Sequence, residues 1–181
     1  MDNHYFLGLP VPKEARSVWA DWVSQVKNDL PFKQWVHPQD FHITLHFFGK
    51  LSPEQVDTIE KKMNEVTLTY QPTLRLDGVD SFGPKGRESV LYTRVHAEEG
   101  LFSLYEEWKV QLNEMGMKTE QRPYRPHMTL AKKRIKEDAL AWPAVPLPEA
   151  IFFQAAHLHL YRIHPGRSVK YETVHWAKLT E

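Results

Sequence analysis

Apolar positions along the chain switch repeatedly between a two-residue and a three-to-four-residue period, the rhythms of strand and helix. Tyr5 to Leu9 reads as a strand ended by Pro10 and Pro12. From Lys13 to Leu30, the residues Val18, Trp19, Trp22, Val23, Val26 and Leu30 make one helical stripe, and Pro31 stops it. Phe41 to Gly49 alternates as a strand. Phe41, Ile43, Leu45 and Phe47 are predicted to face a core, and His42, Thr44 and His46 the opposite side. Ser52-Pro53-Glu54-Gln55 has the capping-box pattern and opens a helix reaching to about Leu68. Thr73 to Phe82 is a strand with a bulge or turn at Asp77-Gly78, and Gly83 to Arg87 is a loop. Val90 to Val95 is the next strand. Gly100 to Gly116 carries a third helix, with Leu101, Leu104, Tyr105, Trp108 and Leu112 on one stripe. Pro126 to Lys132 repeats the pattern of the Phe41 strand. Beyond it come a short helix over Lys136 to Trp142, a stiff connection at Pro143, Pro146 and Pro148, and a strand or pair of strands over Ala150 to Ile163. Lys170 to Leu179 pairs with that segment across Pro165-Gly166-Arg167. This order predicts an α+β fold with mostly antiparallel pairing, as one domain over 1–181.

Composition narrows the class. A chain of 181 residues is long enough to bury a real core, and 41% hydrophobic with 25% charged is ordinary for a soluble globular protein. Twenty-three basic and 23 acidic residues cancel, which argues against holding long duplexes by bulk charge. A small or terminal nucleotide held in a local pocket stays open. The chain has no cysteine, hence no disulfide, no thiolate zinc site and no cysteine nucleophile. Met1 to Pro10 is too short and uncharged for a signal peptide. No run approaches the ~18 apolar residues of a membrane span. A cytoplasmic protein is expected, monomeric and without an obligate protein partner.

The chemistry concentrates in a doubled pattern. His42-Ile43-Thr44-Leu45 and His127-Met128-Thr129-Leu130 lie about half the chain apart, in similar apolar strand settings. One His-x-Thr is ordinary: a lone histidine is more often a hydrogen-bonded structural residue, and threonine favours strands. Two copies predict a two-lobed protein with a site between the lobes. Histidine titrates near neutrality, so a pair can divide acid and base roles. A threonine two residues on puts a hydroxyl beside each imidazole, suited to a non-bridging phosphate oxygen. Such a clamp for a phosphodiester requires no metal or other cofactor.

The doubled motif resembles the two signatures of the two-histidine (2H) phosphoesterase superfamily. Trp35-Val36-His37-Pro38, Phe47-Phe48-Gly49, Phe82-Gly83-Pro84 before Val90-Leu91-Tyr92, and Tyr124-Arg125-Pro126-His127 are similar to its RNA 2′,3′-cyclic phosphodiesterase branch, also called 2′-5′ RNA ligases. The resemblance covers nearly the whole chain and is weakest from about 134 to 150. It implies a bilobal α+β fold, pseudo-two-fold symmetric about a central cleft. It implies metal-free hydrolysis of RNA 2′,3′-cyclic phosphate ends to 2′-phosphomonoesters, with weak 2′-5′ joining of RNA ends. Carried over by motif position, His127 is the general base toward water and His42 the general acid toward the leaving 3′ oxygen. Thr44 and Thr129 would bind the phosphate. The family commonly has arginine shortly after the second motif, where Ala131-Lys132-Lys133-Arg134 stands here. Lys132 is the substitute phosphate cation. Strict alternation points it away from His127, so its role needs a bend at the strand end.

Other residues are weighed beside these. Tyr124, with Trp35 and Phe82, is a candidate for stacking on a base, although such aromatics are commonly core. Lys85, Arg87, Arg125, Lys132, Lys133 and Arg134 could form a phosphate-friendly rim. His157, His159 and Tyr161 alternate on one strand. His-x-His is a metal pair in principle, with His164 and His175 nearby, but no third ligand falls at a compelling spacing. Competing functions are a relative acting on a small cyclic or 2′-5′-linked nucleotide, a non-catalytic RNA-end binder, and a metal hydrolase built on His157 and His159.

Overall fold

The computed structural model describes residues 3–65, 71–84, 87–97, 100–135 and 141–180. Nine strands and three α-helices lie within them: β1 (His4–Pro10), α1 (Lys13–Val26), β2 (Phe32–Trp35), β3 (His42–Lys50), α2 (Pro53–Glu65), β4 (Thr73–Phe82), β5 (Val90–Ala97), α3 (Leu101–Glu114), β6 (His127–Arg134), β7 (Ile151–Gln154), β8 (His157–Ile163) and β9 (Tyr171–Lys178). Every strand pairing is antiparallel. The sheet order is β7-β4-β5-β6-β3-β1-β8-β9, with β2 added on β6.

This order is a palindrome about the β6–β3 seam. Each side has a strand, a helix and a motif strand in the same order: β1-α1-β3 on one, with β2 inserted before β3, and β5-α3-β6 on the other. The first strand of each trio pairs antiparallel with its motif strand. Two β-strands and one helix per half thus repeat about a pseudo-two-fold axis, giving the α+β, two-lobed architecture expected. The seam is a single residue pair, Ile43 opposite Met128, both fully buried.

The core forms on one face. α1 contributes Ala15, Trp19, Trp22, Val23 and Val26, and α3 contributes Leu101, Leu104, Tyr105, Trp108 and Leu112. These pack with Leu7, Leu9, Ile43, Leu91, Met128 and Leu130 of the four central strands in one contiguous cluster. Ser52 and Gln55 form the reciprocal capping box that starts α2.

Differences from the sequence reading have local causes. α1 ends at Val26; Leu30 is still buried, but beyond the helix. Val18 of the predicted stripe is exposed. β2 went unforeseen, as four residues give too little period to read. A 3-10 turn at Pro38–Asp40 precedes β3. Asp77-Gly78 is a bulge within β4, and Ala150 to Ile163 divides into β7 and β8. The expected extension of α2 past Glu65, most of the helix expected at Lys136, and Lys85 lie outside the described residues.

The largest difference is a change of phase inside both motif strands. Along β1–β3, Leu7 faces His46 and Gly8 faces Thr44, so Leu45 is the extra residue of a bulge. Along β5–β6, Leu91 faces Ala131 and Tyr92 faces Thr129, so Leu130 plays the same part. A bulge moves the following side chains to the other face. His46, expected on the cleft face, is 4% exposed, and Phe47, expected in the core, is 60% exposed. The same shift turns Lys132 to the side of His127 and Thr129. Phe47 and Lys132 are therefore counterparts across the pseudo-dyad, each five residues after its histidine.

Gly8 lies beside the first bulge, and a Cβ there would meet the Ile43 carbonyl oxygen at 2.9 Å and the Phe6 ring at 3.3 Å. Gly8→Ala is expected to cost about 1–3 kcal/mol of stability through overpacking. Urea denaturation checks this; an unchanged midpoint would refute the close approach.

Candidate active site

β3 and β6 run antiparallel with Ile43 opposite Met128, both side chains in the core. The neighbours His42, Thr44, His127 and Thr129 consequently project together from the other face, two from each strand. All four are half-buried. The doubled motif is brought into one place.

Each imidazole is held in the same way. His42 Nδ1 lies 2.6 Å from the carbonyl oxygen of Asp40, and His127 Nδ1 lies 2.7 Å from that of Arg125. A carbonyl accepts only, so both rings carry the proton on Nδ1 when neutral, which leaves Nε2 as the basic atom. In both cases the acceptor is two residues upstream. The Thr44 hydroxyl donates to His42 Nε2 at 3.0 Å.

Aromatic rings wall both histidines. Phe6 packs on His42 with ring centroids 4.6 Å apart, and Tyr171 meets it edge-on at 4.9 Å. Phe82 meets His127 edge-on at 4.8 Å and itself stacks on Tyr92. This burial lowers the pKa of both. For His42, desolvation is the largest cause, and the positive charges of Lys132 and His127 add to it, bringing the value to about 4. For His127, desolvation leads and Lys132 adds to it. Lys132 acts on both imidazoles, so one ammonium faces the two motif histidines. Lys132 is itself lowered, by desolvation and then by Lys170.

A cleft of about 910 Å³ opens on this face. Thr44, His127, Thr129 and Lys132 line it, with Phe47, Phe48 and Phe82, and the approach to β6 adds Lys118, Arg122, Tyr124 and Arg125. His42 is not among the lining residues; it sits against Phe6 and Tyr171, with Thr44 between its Nε2 and the cleft. Tyr124 combines two functions. Its hydroxyl donates to the Thr44 carbonyl at 3.0 Å, which ties the approach to β6 onto β3. One ring face stacks on Tyr105 at 4.2 Å, and Tyr105 stacks in turn on His46. Burial pushes the Tyr124 phenol strongly up, so it remains a donor. Trp35 packs against the core. Arg87 is exposed, and Arg134 is a buried ion-pair partner of Glu88 rather than part of a cationic rim.

His46 is a structural histidine. Its Nε2–H donates to the Tyr105 carbonyl at 2.9 Å, and desolvation lowers its pKa to about 4. His159 accepts or donates to the Thr173 hydroxyl, and His157 packs edge-on against the exposed Trp176. Among the described residues, no three of His, Cys, Asp and Glu converge as a metal-binding group. Two residues escaped the sequence reading. Phe47 was hidden by the bulge. Asp40 was hidden because its contacts come from the far end of the chain.

Comparisons with known proteins agree with this geometry. Residues 12–167 match the family model of the 2′-5′ RNA ligase superfamily. The chain is 35% identical over 177 residues to a Bacillus subtilis (strain 168) RNA 2′,3′-cyclic phosphodiesterase, covering 94% of this chain and 93% of that protein. It is 30% identical over 175 residues to a Geobacillus stearothermophilus protein of the same description, covering 95% of this chain and 56% of that protein. The crystal structure of E. coli LigT complexed with 3′-AMP superposes with a TM-score of 0.77 over 100% of both chains at 21% identity, a likeness of fold. The palindromic sheet, the paired histidines and the matched family model lead to one statement: this chain belongs to the 2′-5′ RNA ligase superfamily of 2H phosphoesterases.

Proposed function

We propose that the protein is a phosphodiesterase that opens RNA 2′,3′-cyclic phosphate ends to 2′-phosphomonoesters by paired histidine acid–base catalysis. The observation that carries this reading is the mirrored bond from each Nδ1 to a carbonyl two residues upstream, which leaves Nε2 as the basic atom of both motif imidazoles. The names of the similar B. subtilis and G. stearothermophilus proteins support the substrate class. The enzyme would act on RNA in the cytoplasm, as a monomer.

His127 Nε2 takes a proton from a water whose oxygen attacks phosphorus. The bond from phosphorus to the 3′ oxygen breaks, and His42 Nε2–H gives that oxygen its proton. The products are a 2′-phosphomonoester and a free 3′ hydroxyl, and the proton gained by His127 returns to His42 through solvent. Thr44 and Thr129 donate to the non-bridging oxygens, and the Lys132 ammonium offsets the charge growing on them. Lysine does this as a point charge, without arginine's two-pronged geometry. Tyr124 presents its ring at the cleft for a base. If a 5′ hydroxyl replaces water as nucleophile, the same roles yield a 2′-5′ linkage.

His42 must be protonated to act as acid, yet burial and the neighbouring Lys132 ammonium keep it neutral in the empty site. A bound phosphodiester anion opposes that effect and restores the proton. The productive free-enzyme form carries one proton across two histidines whose pKa values both lie below 6.5. Loss of that proton dominates above both values. Accordingly kcat/KM should fall about tenfold per pH unit above pH 6.5, while the kcat profile extends to higher pH. A kcat/KM that stays flat to pH 8 would contradict the assignment.

Assay of a 2′,3′-cyclic nucleotide and of a short RNA with a cyclic end, in EDTA, tests the function. Release of 2′-phosphate unaffected by the chelator is the expected result, and a 3′-phosphate product would reverse the leaving-group assignment. His42→Ala and His127→Ala should each lower kcat by ~10²–10⁴-fold. Near-full activity in either would remove that histidine from the mechanism.

The depressed histidines also set acid stability. Folded pKa values of about 4 for His42 and His46 lie below the unfolded value of 6.5. The unfolded chain then binds more protons between these limits, so stability is full above pH 6.5 and declines as pH falls toward 4. A Tm that falls over this window is expected, and a Tm constant from pH 7 to 4.5 would refute it.

A further inference from the structure

The two motif histidines share a hydrogen-bond pattern but not what stands behind it. His127 hangs from the carbonyl of Arg125, whose side chain is exposed and lines the cleft. His42 hangs from the carbonyl of Asp40, whose side chain is 3% exposed. Both carboxylate oxygens of Asp40 are engaged. Oδ2 accepts the backbone N–H of Lys170 at 2.8 Å, and Oδ1 accepts that of Tyr171 at 3.1 Å. A buried carboxylate is unfavourable unless such donors reach it. These donors come from the start of β9, 130 positions away in sequence.

The consequence falls on His42. Tyr171 sets its ring edge-on to the imidazole at 4.9 Å and 88°. It also packs edge-on against Phe6, which covers another side of the same imidazole. One residue therefore fixes the imidazole twice. The Asp40 main chain holds Nδ1, and its side chain holds the backbone that carries the ring beside it. The Asp40 carbonyl accepts from His42 Nδ1, while its carboxylate is taken up by the two N–H groups at the start of β9. Asp40 acts by geometry.

We propose that Asp40 is a positioning residue for His42, a latch between the 3-10 turn and the start of β9 that sets the tautomer and aim of that imidazole. This rests on the reading of His42 as a proton-transferring group. The second motif has no equivalent latch, since its corresponding residue is Arg125. The symmetry of the site is thus broken in its support as well as at Phe47 and Lys132.

The test measures kcat and KM of Asp40→Ala and Asp40→Asn on a 2′,3′-cyclic nucleotide, each alone and combined with His42→Ala. Asp40→Ala should lower kcat about 10–100-fold, as misplacement of a reacting group does, with KM within about twofold. Asp40→Asn, which keeps one acceptor, should fall between. In the His42→Ala background either change should add less than about twofold, because the residue works through His42. A purely structural residue would reduce both backgrounds alike. By ¹⁵N NMR, His42 should lose its single Nδ1–H tautomer in Asp40→Asn while His127 keeps its own. Wild-type kcat in both variants, or an equal added loss without His42, overturns the proposal. If Asp40→Ala fails to fold, Asp40→Asn carries the same cycle. Full activity in His42→Ala is the separate outcome that sinks the role of His42, and the latch with it.

Discussion

The site depends on one antiparallel contact, Ile43 against Met128, at the centre of the sheet. Among the described residues it is the one paired position between the two motif strands. Because both side chains point into the core, the residues on either side of each must point out. Two histidines and two threonines are thereby set around one spot by backbone pleat alone. Apolar burial fixes the seam, and the polar quartet follows from it. Any slip of register by one residue would exchange the two sets and place imidazoles in the core.

The bulges refine what the seam begins. Each motif strand shifts phase three residues after its histidine, so the site has a second tier five residues after it. That tier differs between the halves: an exposed phenyl at Phe47, an ammonium at Lys132. Backbone symmetry supplies two equivalent histidine mounts, and the side chains of the second tier make the halves unequal. The supports are unequal too, with a buried carboxylate behind one mount and an exposed guanidinium behind the other. A symmetric frame that holds chemically different neighbours can separate proton donor from proton acceptor.

Much of this was legible in the residues. The helical stripes of α1 and α3, the capping box of α2, the bulge at Asp77-Gly78 and the facing of both His-x-Thr pairs follow from period and turn chemistry. The phase shift was also readable in part. Strict alternation puts Lys132 on the face of Met128 and Leu130, and a lysine seldom sits in a core, so a bulge had to intervene. The equivalent signal at His46 and Phe47 was masked, since histidine tolerates burial and phenylalanine suits a core. Asp40 gave no sign at all. Its partners are backbone N–H groups of Lys170 and Tyr171, and no side-chain pattern records a bond made by the main chain. β2 was likewise too short for its pairing with β6 to leave a period.

The palindromic strand order has a consequence for the order of assembly. The half containing β7, β4, β5 and β6 is drawn from the middle of the chain. The other half joins the two ends, with β1 lying between β3 and β8. β1 is made first but must wait for β8 before its second edge is covered. Long loop closure of this kind slows folding. The aromatic wall of His42, which includes Tyr171, would therefore be completed only after β8 and β9 have joined β1.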